Sequence, residues 1–242
     1  MLQKAQLFTA VGKKVVMAIT GLALCIFLVG HLAGNIQLFW NQPQFNSYAH
    51  FLTMSMGPLT ILFELCLLAV FLLHIADGLI LVKTNADARP IGYVKKGWAK
   101  SKSKKSRKTA SSTFMMWSGI GILFFVIFHV WHFKYHHPIA SVAPDMGGMS
   151  ADPAHEQYDL ALLVFNEFHS PLVAGIYIAA MALLGMHLYH AVSSALTTLG
   201  ANHPRYAKGI LWLGRIYTFV VCGIFALIPI AVFFHLVNSP VK

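Results

Sequence analysis

Two histidines lie inside a long apolar stretch of the sequence, where ionisable side chains are rare. His187 and His190 fall within residues 184–194, in a run of more than twenty mostly apolar residues. A polar side chain in hydrocarbon costs about 2 to 3 kcal/mol or more, and it normally faces a bundle interior that provides a partner. Because neutral imidazole is the commonest metal ligand among side chains, this stretch predicts a metal centre if other histidines lie at matching depths.

The composition is that of an integral membrane protein. Of the 242 residues, 57% are hydrophobic and 11% are charged, and the mean hydropathy is +0.64, far from the values of soluble domains. A helix needs about 20 mostly apolar residues to cross a bilayer, and five stretches are long enough. The sequence predicts one domain over residues 1–242, an all-α bundle of five transmembrane helices at residues 15–40, 58–82, 114–133, 171–199 and 210–237.

Most basic residues fall on one side of these five spans. Sixteen of the eighteen Lys and Arg residues lie in the N-terminal arm, in the loop 83–108 and around residues 205–215. The positive-inside rule therefore predicts a cytoplasmic N-terminus and a C-terminus outside. Five crossings independently require the two termini to lie on opposite sides.

A basic run at residues 95–108 lies within the predicted cytoplasmic loop and contains few apolar residues. We interpret it as a solvated loop, with a docking surface for a partner protein or for anionic lipid headgroups as the alternative. It lacks a series of aromatic residues interleaved with its charges, so we do not expect nucleic acid as a partner.

Four histidines lie deep inside predicted helices, and their depths match in pairs. His74 and His187 each follow the proline at the outer end of their helix by sixteen residues, which is about 24 Å at 1.5 Å per residue. His31 and His129 lie nine residues before the outer ends of their helices, or about 14 Å from them. The first pair therefore belongs to the inner half of the membrane and the second pair to the outer half.

Two pairs at levels about 10 Å apart are what two stacked haem groups with bis-histidine ligation require. Each iron would take one neutral imidazole nitrogen on either side of its plane. Gly34 lies about one turn after His31, and we expect it to leave room for a flat macrocycle near the helix backbone.

Spacing alone leaves the ligand of the fourth helix open between His187 and His190. The shared proline-to-histidine interval and the small Ala191, one turn after His187, favour His187. In the third helix His129 is preferred, because His132 would lie close to the outer interface.

In these residues the chain resembles a known family: the single-chain, five-helix, dihaem cytochrome b subunit that anchors succinate:quinone oxidoreductase and fumarate reductase. The resemblance rests on KKVVMAITG at 13–21, HLAGN at 31–35, FNSYA at 45–49 and residues 187–204. It implies two haem b groups, with helix I paired to helix III and helix II to helix IV. It also favours the histidine thirteen residues before Gly200. The implied ligands of the haem irons are His31, His74, His129 and His187.

The resemblance further implies a flavoprotein subunit and an iron-sulfur subunit docked on the basic cytoplasmic face. The chain would be the membrane anchor and electron-transfer subunit of a succinate dehydrogenase, whose succinate site is on another subunit. Electrons would pass between the iron-sulfur subunit and membrane quinone, with menaquinone expected. The location would be the inner (cytoplasmic) membrane of a bacterial cell. The direction of the reaction and a higher oligomer of the heterotrimer are left open.

A quinone site needs an apolar slot and a polar group that handles protons. Glu64, His50 and Tyr48 are the candidates near the outer face, with a structural hydrogen bond as the alternative role for Glu64.

Two other functions fit parts of the pattern. The cytochrome b subunit of another quinone-linked enzyme, such as a hydrogenase, formate dehydrogenase or nitrate reductase, would also use helix histidines as haem ligands. A metal-ion carrier would hold no haem and would need polar groups right across the bundle, whereas the predicted helices contain few carboxylates. The ligands of such a carrier would be His129, His132, His136 and His137.

Overall fold

The computed structural model describes residues 9–88, 114–135 and 159–237. In these ranges the regular secondary structure is entirely helical, as predicted. A 3-10 turn (Ile36–Phe39) extends the first helix, and π-helical turns follow the second (Phe51–Ser55) and fourth (Trp131–Tyr135). The helices are α1 (Ala10–Asn35), α2 (Gln42–His50), α3 (Gly57–Asp87), α4 (Met115–Val130), α5 (Leu160–Phe168), α6 (Pro171–Thr198) and α7 (Pro204–Phe233).

Five helical segments are long and apolar enough to cross a membrane, which confirms the predicted number of spans for the part of the chain described. Many of their large apolar side chains are more than half exposed, among them Ile26, Leu59 and Phe219. Lipid can cover such a surface, because a helix satisfies its backbone hydrogen bonds internally. The chain is therefore a multi-pass membrane protein. The spans are Ala10–Phe39, Gly57–Asp87, Met115–Tyr135, Pro171–Thr198 and Pro204–Phe233.

Some predicted spans are too short at ends that carry polar residues. α1 begins at Ala10 rather than at residue 15, and the side chain of Thr9 caps its first turn. α7 begins at Pro204 rather than at residue 210, with His203 as its N-cap, because proline suits the first helical position. Hydropathy locates the apolar part of a helix and misses the polar turn that continues it.

The predicted loop 83–108 is also shorter than expected. α3 continues to Asp87, so the first residues of that range are helical. The basic run at 95–108 and the segment with His136 and His137 lie outside the described residues.

α6 ends at Thr198, close to Gly200, and a glycine just after a helix suits its C-terminus because it lacks a Cβ. Gly200 has a left-handed φ of 103°. Its N–H donates to the carbonyl of Thr197 at 3.2 Å, and the N–H of Ala201 donates to the carbonyl of Leu196 at 3.0 Å. This pair of bonds is a Schellman motif, and it lets the chain turn so that α7 packs back against α6.

The short helices α2 and α5 lie between the predicted spans, in segments that are not apolar enough over a sufficient length to predict a helix. Asn46 links them, since its side-chain N–H donates to Asp159 Oδ1 at 2.8 Å and its Oδ1 accepts from the N–H of Ala161 at 2.9 Å. Phe45 of α2 and Phe165 of α5 are both buried in one apolar cluster. The two helices form a cap over one end of the bundle.

Four spans form a ring, and the fifth packs outside it. α1 contacts α3 and α6, and α4 contacts the same two helices. α1 therefore faces α4 across the ring, and α3 faces α6. α7 packs against α6 and α1; a Cβ added at Gly214 of α7 would lie 3.3 Å from the backbone nitrogen of Ser193 in α6. The ring thus has two diagonals, and each carries one of the predicted histidine pairs.

Candidate metal centres

The first diagonal brings His31 of α1 beside His129 of α4. Their ring centroids are 5.8 Å apart, and the ring planes are nearly perpendicular, at 81°. Four phenylalanine rings lie with their centroids 5.4 to 5.7 Å from one imidazole or the other. This pair, called here the outer pair after its predicted level, therefore lies in an apolar, aromatic environment made by Phe27, Phe125, Phe133 and Phe225.

The second diagonal brings His74 of α3 beside His187 of α6. Their ring centroids are 6.5 Å apart, and the planes meet at 69°. Each imidazole packs against a glycine of a neighbouring helix. A Cβ at Gly21 would lie 3.2 Å from His74 Cε1, and one at Gly119 would lie 3.6 Å from His187 Cε1. Because carbon atoms pack best at about 3.5 to 4.0 Å, Gly21 in particular makes room for the ring.

Both separations suit two imidazoles that ligate one iron. With metal–nitrogen bonds of about 2 Å on opposite sides of an ion, the two ring centroids lie about 6 Å apart. Perpendicular planes are compatible with this arrangement, because each ring can turn about its own metal–nitrogen bond. The separation within each pair therefore fits two residues that would hold one haem iron.

A side-chain hydroxyl lies next to Nδ1 of each histidine of the second diagonal, called here the inner pair after its predicted level. Thr20 Oγ1 lies 3.1 Å from His74 Nδ1, and Ser118 Oγ lies 3.0 Å from His187 Nδ1. Each hydroxyl also lies within 3.0 Å of a carbonyl oxygen four residues earlier in its own helix. A hydroxyl has one proton to donate, and when the carbonyl receives it, the oxygen accepts the N–H of Nδ1. The lone pair of Nε2 is then available on both histidines, as metal ligation requires.

The outer pair has a longer polar chain behind it. The Tyr177 hydroxyl lies 3.2 Å from His129 Nδ1 and 3.1 Å from His132 Nδ1. His132 Nε2 lies 2.9 Å from Glu167 Oε2. When the Nδ1–H of His129 donates a hydrogen bond to the tyrosine oxygen, Nε2 is available in the same way as in the inner pair.

Comparisons with protein-family models, with curated proteins and with solved structures gave no significant match. In residues 9–88, 114–135 and 159–237 there is no group of three or more His, Cys, Asp or Glu side chains that could hold a metal ion together. A haem iron needs only two protein nitrogens, because the porphyrin provides the other four. The case for a metal centre therefore rests on the two histidine pairs and their hydrogen bonds.

The structure places each of the histidines that spacing left open. In α6, the ring of His187 faces its partner across the diagonal, and His190 lies one turn further along the helix. His129 of α4 faces its partner, while the buried His132, in the turn after α4, bonds to Glu167.

The room beside Gly34 has a different occupant from the one expected. A Cβ at Gly34 would lie 2.7 Å from Cε1 of Tyr48, so the tyrosine ring of α2 takes the place where a macrocycle was predicted. The reason is the fold of the outer segment, which forms a helix and returns over the end of α1. Tyr48 and His50, two of the quinone candidates, are both exposed side chains of α2.

Glu64, the third quinone candidate, forms an ion pair. Its Oε2 lies 2.6 Å from Nζ of Lys134, and both side chains are 46% exposed. The preceding Phe63 contacts Phe27, whose ring stacks on His31. Glu64 therefore lies near the level of the outer pair, and it also has a structural role in joining α3 to the turn after α4.

Sequence reasoning missed the polar side chains behind the histidines. Thr20 lies in one of the segments that carry the resemblance, and Ser118 and Tyr177 are isolated hydroxyl residues in apolar helices. Tyr177 precedes His187 by ten residues, about 15 Å along α6, which places it near the outer level. A search for hydroxyl groups at the depth of each pair would have found all three. Glu167 gave no such signal, because α5 was not predicted.

Proposed function

We propose that this chain is a dihaem cytochrome b, the membrane anchor and electron-transfer subunit of a succinate dehydrogenase (succinate:quinone oxidoreductase). The observation that supports it most is the pair of diagonals, on which the ring centroids of two imidazoles lie 5.8 and 6.5 Å apart, close to the separation expected for two ligands of one iron. His31 and His129 would hold the outer haem, and His74 and His187 the inner haem. Bound haem supplies one-electron redox chemistry between an iron-sulfur partner and membrane quinone.

The residues around each pair would orient the ligands and keep water away. Thr20 and Ser118 hold the inner imidazoles through Nδ1, and such bonds fix both tautomer and ring orientation at metal sites. The phenylalanine rings around the outer pair exclude water from that level. A low local polarity is one of the factors by which a protein sets a haem potential.

The position of the charges supports the orientation and partners of this proposal. Tyr217 donates to the carbonyl of Cys25 at 2.7 Å, and the ring of Phe225 lies 5.5 Å from that of His31. α1 and α7 therefore run parallel, and their first turns are at the same end. We assign this end to the cytoplasm of a bacterial cell, where the flavoprotein and iron-sulfur subunits would dock. Its basic residues include Lys13, Lys14, Arg205, Lys208 and Arg215.

The quinone site of the proposal lies at the opposite end, with menaquinone as the expected ligand. Glu64 is the preferred proton-handling group because it lies near the level of the outer pair, next to apolar rings. Tyr48 is second, since its ring covers α1 about one turn beyond His31. His50 is the third candidate on the same end.

The test is the amount of protohaem per polypeptide in the purified chain with its co-purifying subunits. We expect two haems in the parent, and loss of one in each of His31→Ala and His187→Ala. His190→Ala is the matched control, because it removes an imidazole from the same helix one turn away and should keep both haems. The thermal unfolding midpoint of each variant shows whether the protein is still folded.

Three results separate this proposal from its competitors. A well-folded parent without haem would refute it and favour a metal-ion carrier or a structural membrane anchor that holds no haem. Two haems with no co-purifying flavoprotein, and no reduction of the haems by succinate, would favour the cytochrome b of another quinone-linked enzyme. Loss of a haem in His190→Ala with both haems kept in His187→Ala would change the ligand assignment in α6.

A further inference from the structure

We propose that Glu167, His132 and Tyr177 form a hydrogen-bonded chain that positions His129 and lowers the midpoint potential of the outer haem. This inference rests on the dihaem function proposed above. It assigns an electrostatic role to three residues on three different helices, none of which is a haem ligand in that function.

The chain is continuous from the cap to the outer histidine pair. Glu167 Oε2 lies 2.9 Å from His132 Nε2, His132 Nδ1 lies 3.1 Å from the Tyr177 hydroxyl, and that hydroxyl lies 3.2 Å from His129 Nδ1. Glu167 is on α5, His132 follows α4, and Tyr177 is on α6. Their joint placement links the external cap to a ligand inside the membrane.

The protons in this chain have one consistent direction. A histidine can ligate through Nε2 only when that nitrogen carries no proton, so His129 must donate from Nδ1 to the Tyr177 oxygen. Tyr177 then has one proton to give, and His132 Nδ1 accepts it. His132 keeps its own proton on Nε2 and donates it to Glu167, whose carboxylate is an acceptor. Each donor therefore has one acceptor.

Burial makes the terminal charge effective over this distance. The side chain of His132 is 5% exposed and that of Glu167 is 23% exposed, and Tyr177 is buried. Phe128, Phe133 and Phe168 pack around the tyrosine and His132 rings. In such a low-dielectric environment hydrogen bonds polarise one another. The carboxylate would thus increase the electron donation of His129 to an iron held by the outer pair.

A more electron-rich ligand favours the oxidised iron, which carries more positive charge, so the chain lowers the potential of the outer haem. The inner pair has no equivalent in the described part of the chain. Its hydroxyls, Thr20 and Ser118, donate hydrogen bonds to the backbone carbonyls of Val16 and Phe114, four residues earlier in the chain. The two pairs therefore differ in kind, with a neutral acceptor behind one and a carboxylate behind the other.

The experiment is a spectroscopic redox titration of both haems in the intact complex. Glu167→Gln keeps the shape and a hydrogen-bond acceptor but removes the charge, and we expect one haem to titrate at a higher potential while the other is unchanged. Tyr177→Phe should raise the same potential, and Glu167→Asp, which retains the carboxylate, should restore much of the parental value. If Tyr177→Phe does not fold, Glu167→Gln still decides, because that side chain is at the cap.

The outer haem is identified with a protein that lacks its site. In the His31→Ala background, which would keep only the inner haem, Glu167→Gln should shift nothing. Two haems with parental potentials in both Glu167→Gln and Tyr177→Phe would overturn this inference and leave the dihaem function intact. A folded parent without haem would instead overturn the function itself. A shift that persists in the His31→Ala background would assign the effect to the wrong haem and also refute the chain.

Discussion

Replacing Thr20 with valine is a direct test of how the inner haem would be held. Valine has nearly the shape of threonine but no hydroxyl, so the N–H of His74 Nδ1 loses its acceptor at 3.1 Å. Thr20 is 7% exposed, and water cannot readily take the place of the lost group. We expect the haem of the inner pair to bind more weakly in Thr20→Val while the outer haem is unaffected.

The size of this effect follows from the burial of the site. An unsatisfied buried donor costs about 1 to 3 kcal/mol, which corresponds to about a 5- to 150-fold loss of affinity. Loss of an outer-sphere partner typically lowers metal affinity by about 10- to 100-fold, in the same range. Thr20→Ser retains the hydroxyl and should retain most of the affinity. Ser118→Ala removes the equivalent acceptor of His187 and should weaken the same haem.

The assay is the rate at which haem transfers to an excess of a haem-scavenging globin, followed by absorbance. The parent should lose its two haems in two phases, and Thr20→Val should accelerate one phase by about 10-fold or more. Parental rates for both haems in Thr20→Val and in Ser118→Ala would show that the hydroxyls do not orient the ligands. Acceleration of both phases to the same extent would indicate a general loss of stability.

Three further predictions concern the glycine beside His74, the link between α2 and α5, and the quinone candidate Glu64. Gly21→Ala should weaken haem binding at the inner pair by about 1 to 3 kcal/mol, because the added Cβ would press on His74. Gly30→Ala on the same helix is the control, since its Cβ would meet open space and haem transfer should keep the parental rates. Equal rates in both variants would contradict the role of Gly21. Asn46→Leu removes both side-chain bonds between α2 and α5 and should lower the thermal unfolding midpoint, with a cost of about 1 to 3 kcal/mol; an unchanged midpoint would show that the link is dispensable. Lys134→Met should change the thermal unfolding midpoint little, because an ion pair of half-exposed side chains contributes about 0 to 1 kcal/mol. Glu64→Gln should lower the rate of succinate-driven quinone reduction, whereas Lys134→Met should not. Equal rates in these two variants would remove Glu64 from the quinone site.

The main helices and the depths of the histidines follow from simple periodic properties of the sequence. Apolar length predicts the spans because a helix of about 20 apolar residues is long enough to cross hydrocarbon and satisfies its backbone hydrogen bonds internally. A rise of 1.5 Å per residue then converts sequence spacing into depth. The pairs of equal depth, His31 with His129 and His74 with His187, are also the pairs whose rings are in contact.

Features that depend on neighbouring helices could not be obtained in this way. The helices α2 and α5 are amphipathic and short, and contacts between them such as those of Asn46 stabilise them. The ring of Tyr48 occupies the room beside Gly34 because α2 returns over α1. The partners of Tyr177 lie 45 and 48 residues away in the sequence, and no local pattern joins them.

The diagonal placement of the histidines has a consequence for the biogenesis of the protein. His31 and His129 lie on the first and third spans, so both histidines of the outer pair are present once α4 has entered the bilayer. The inner pair also needs His187, so it is complete only when α6 has been inserted. α7 lies outside the ring and carries neither pair. In a nascent chain that acquires haem as it is inserted, haem would link α1 to α4 first and α3 to α6 second, before α7 packs against α6.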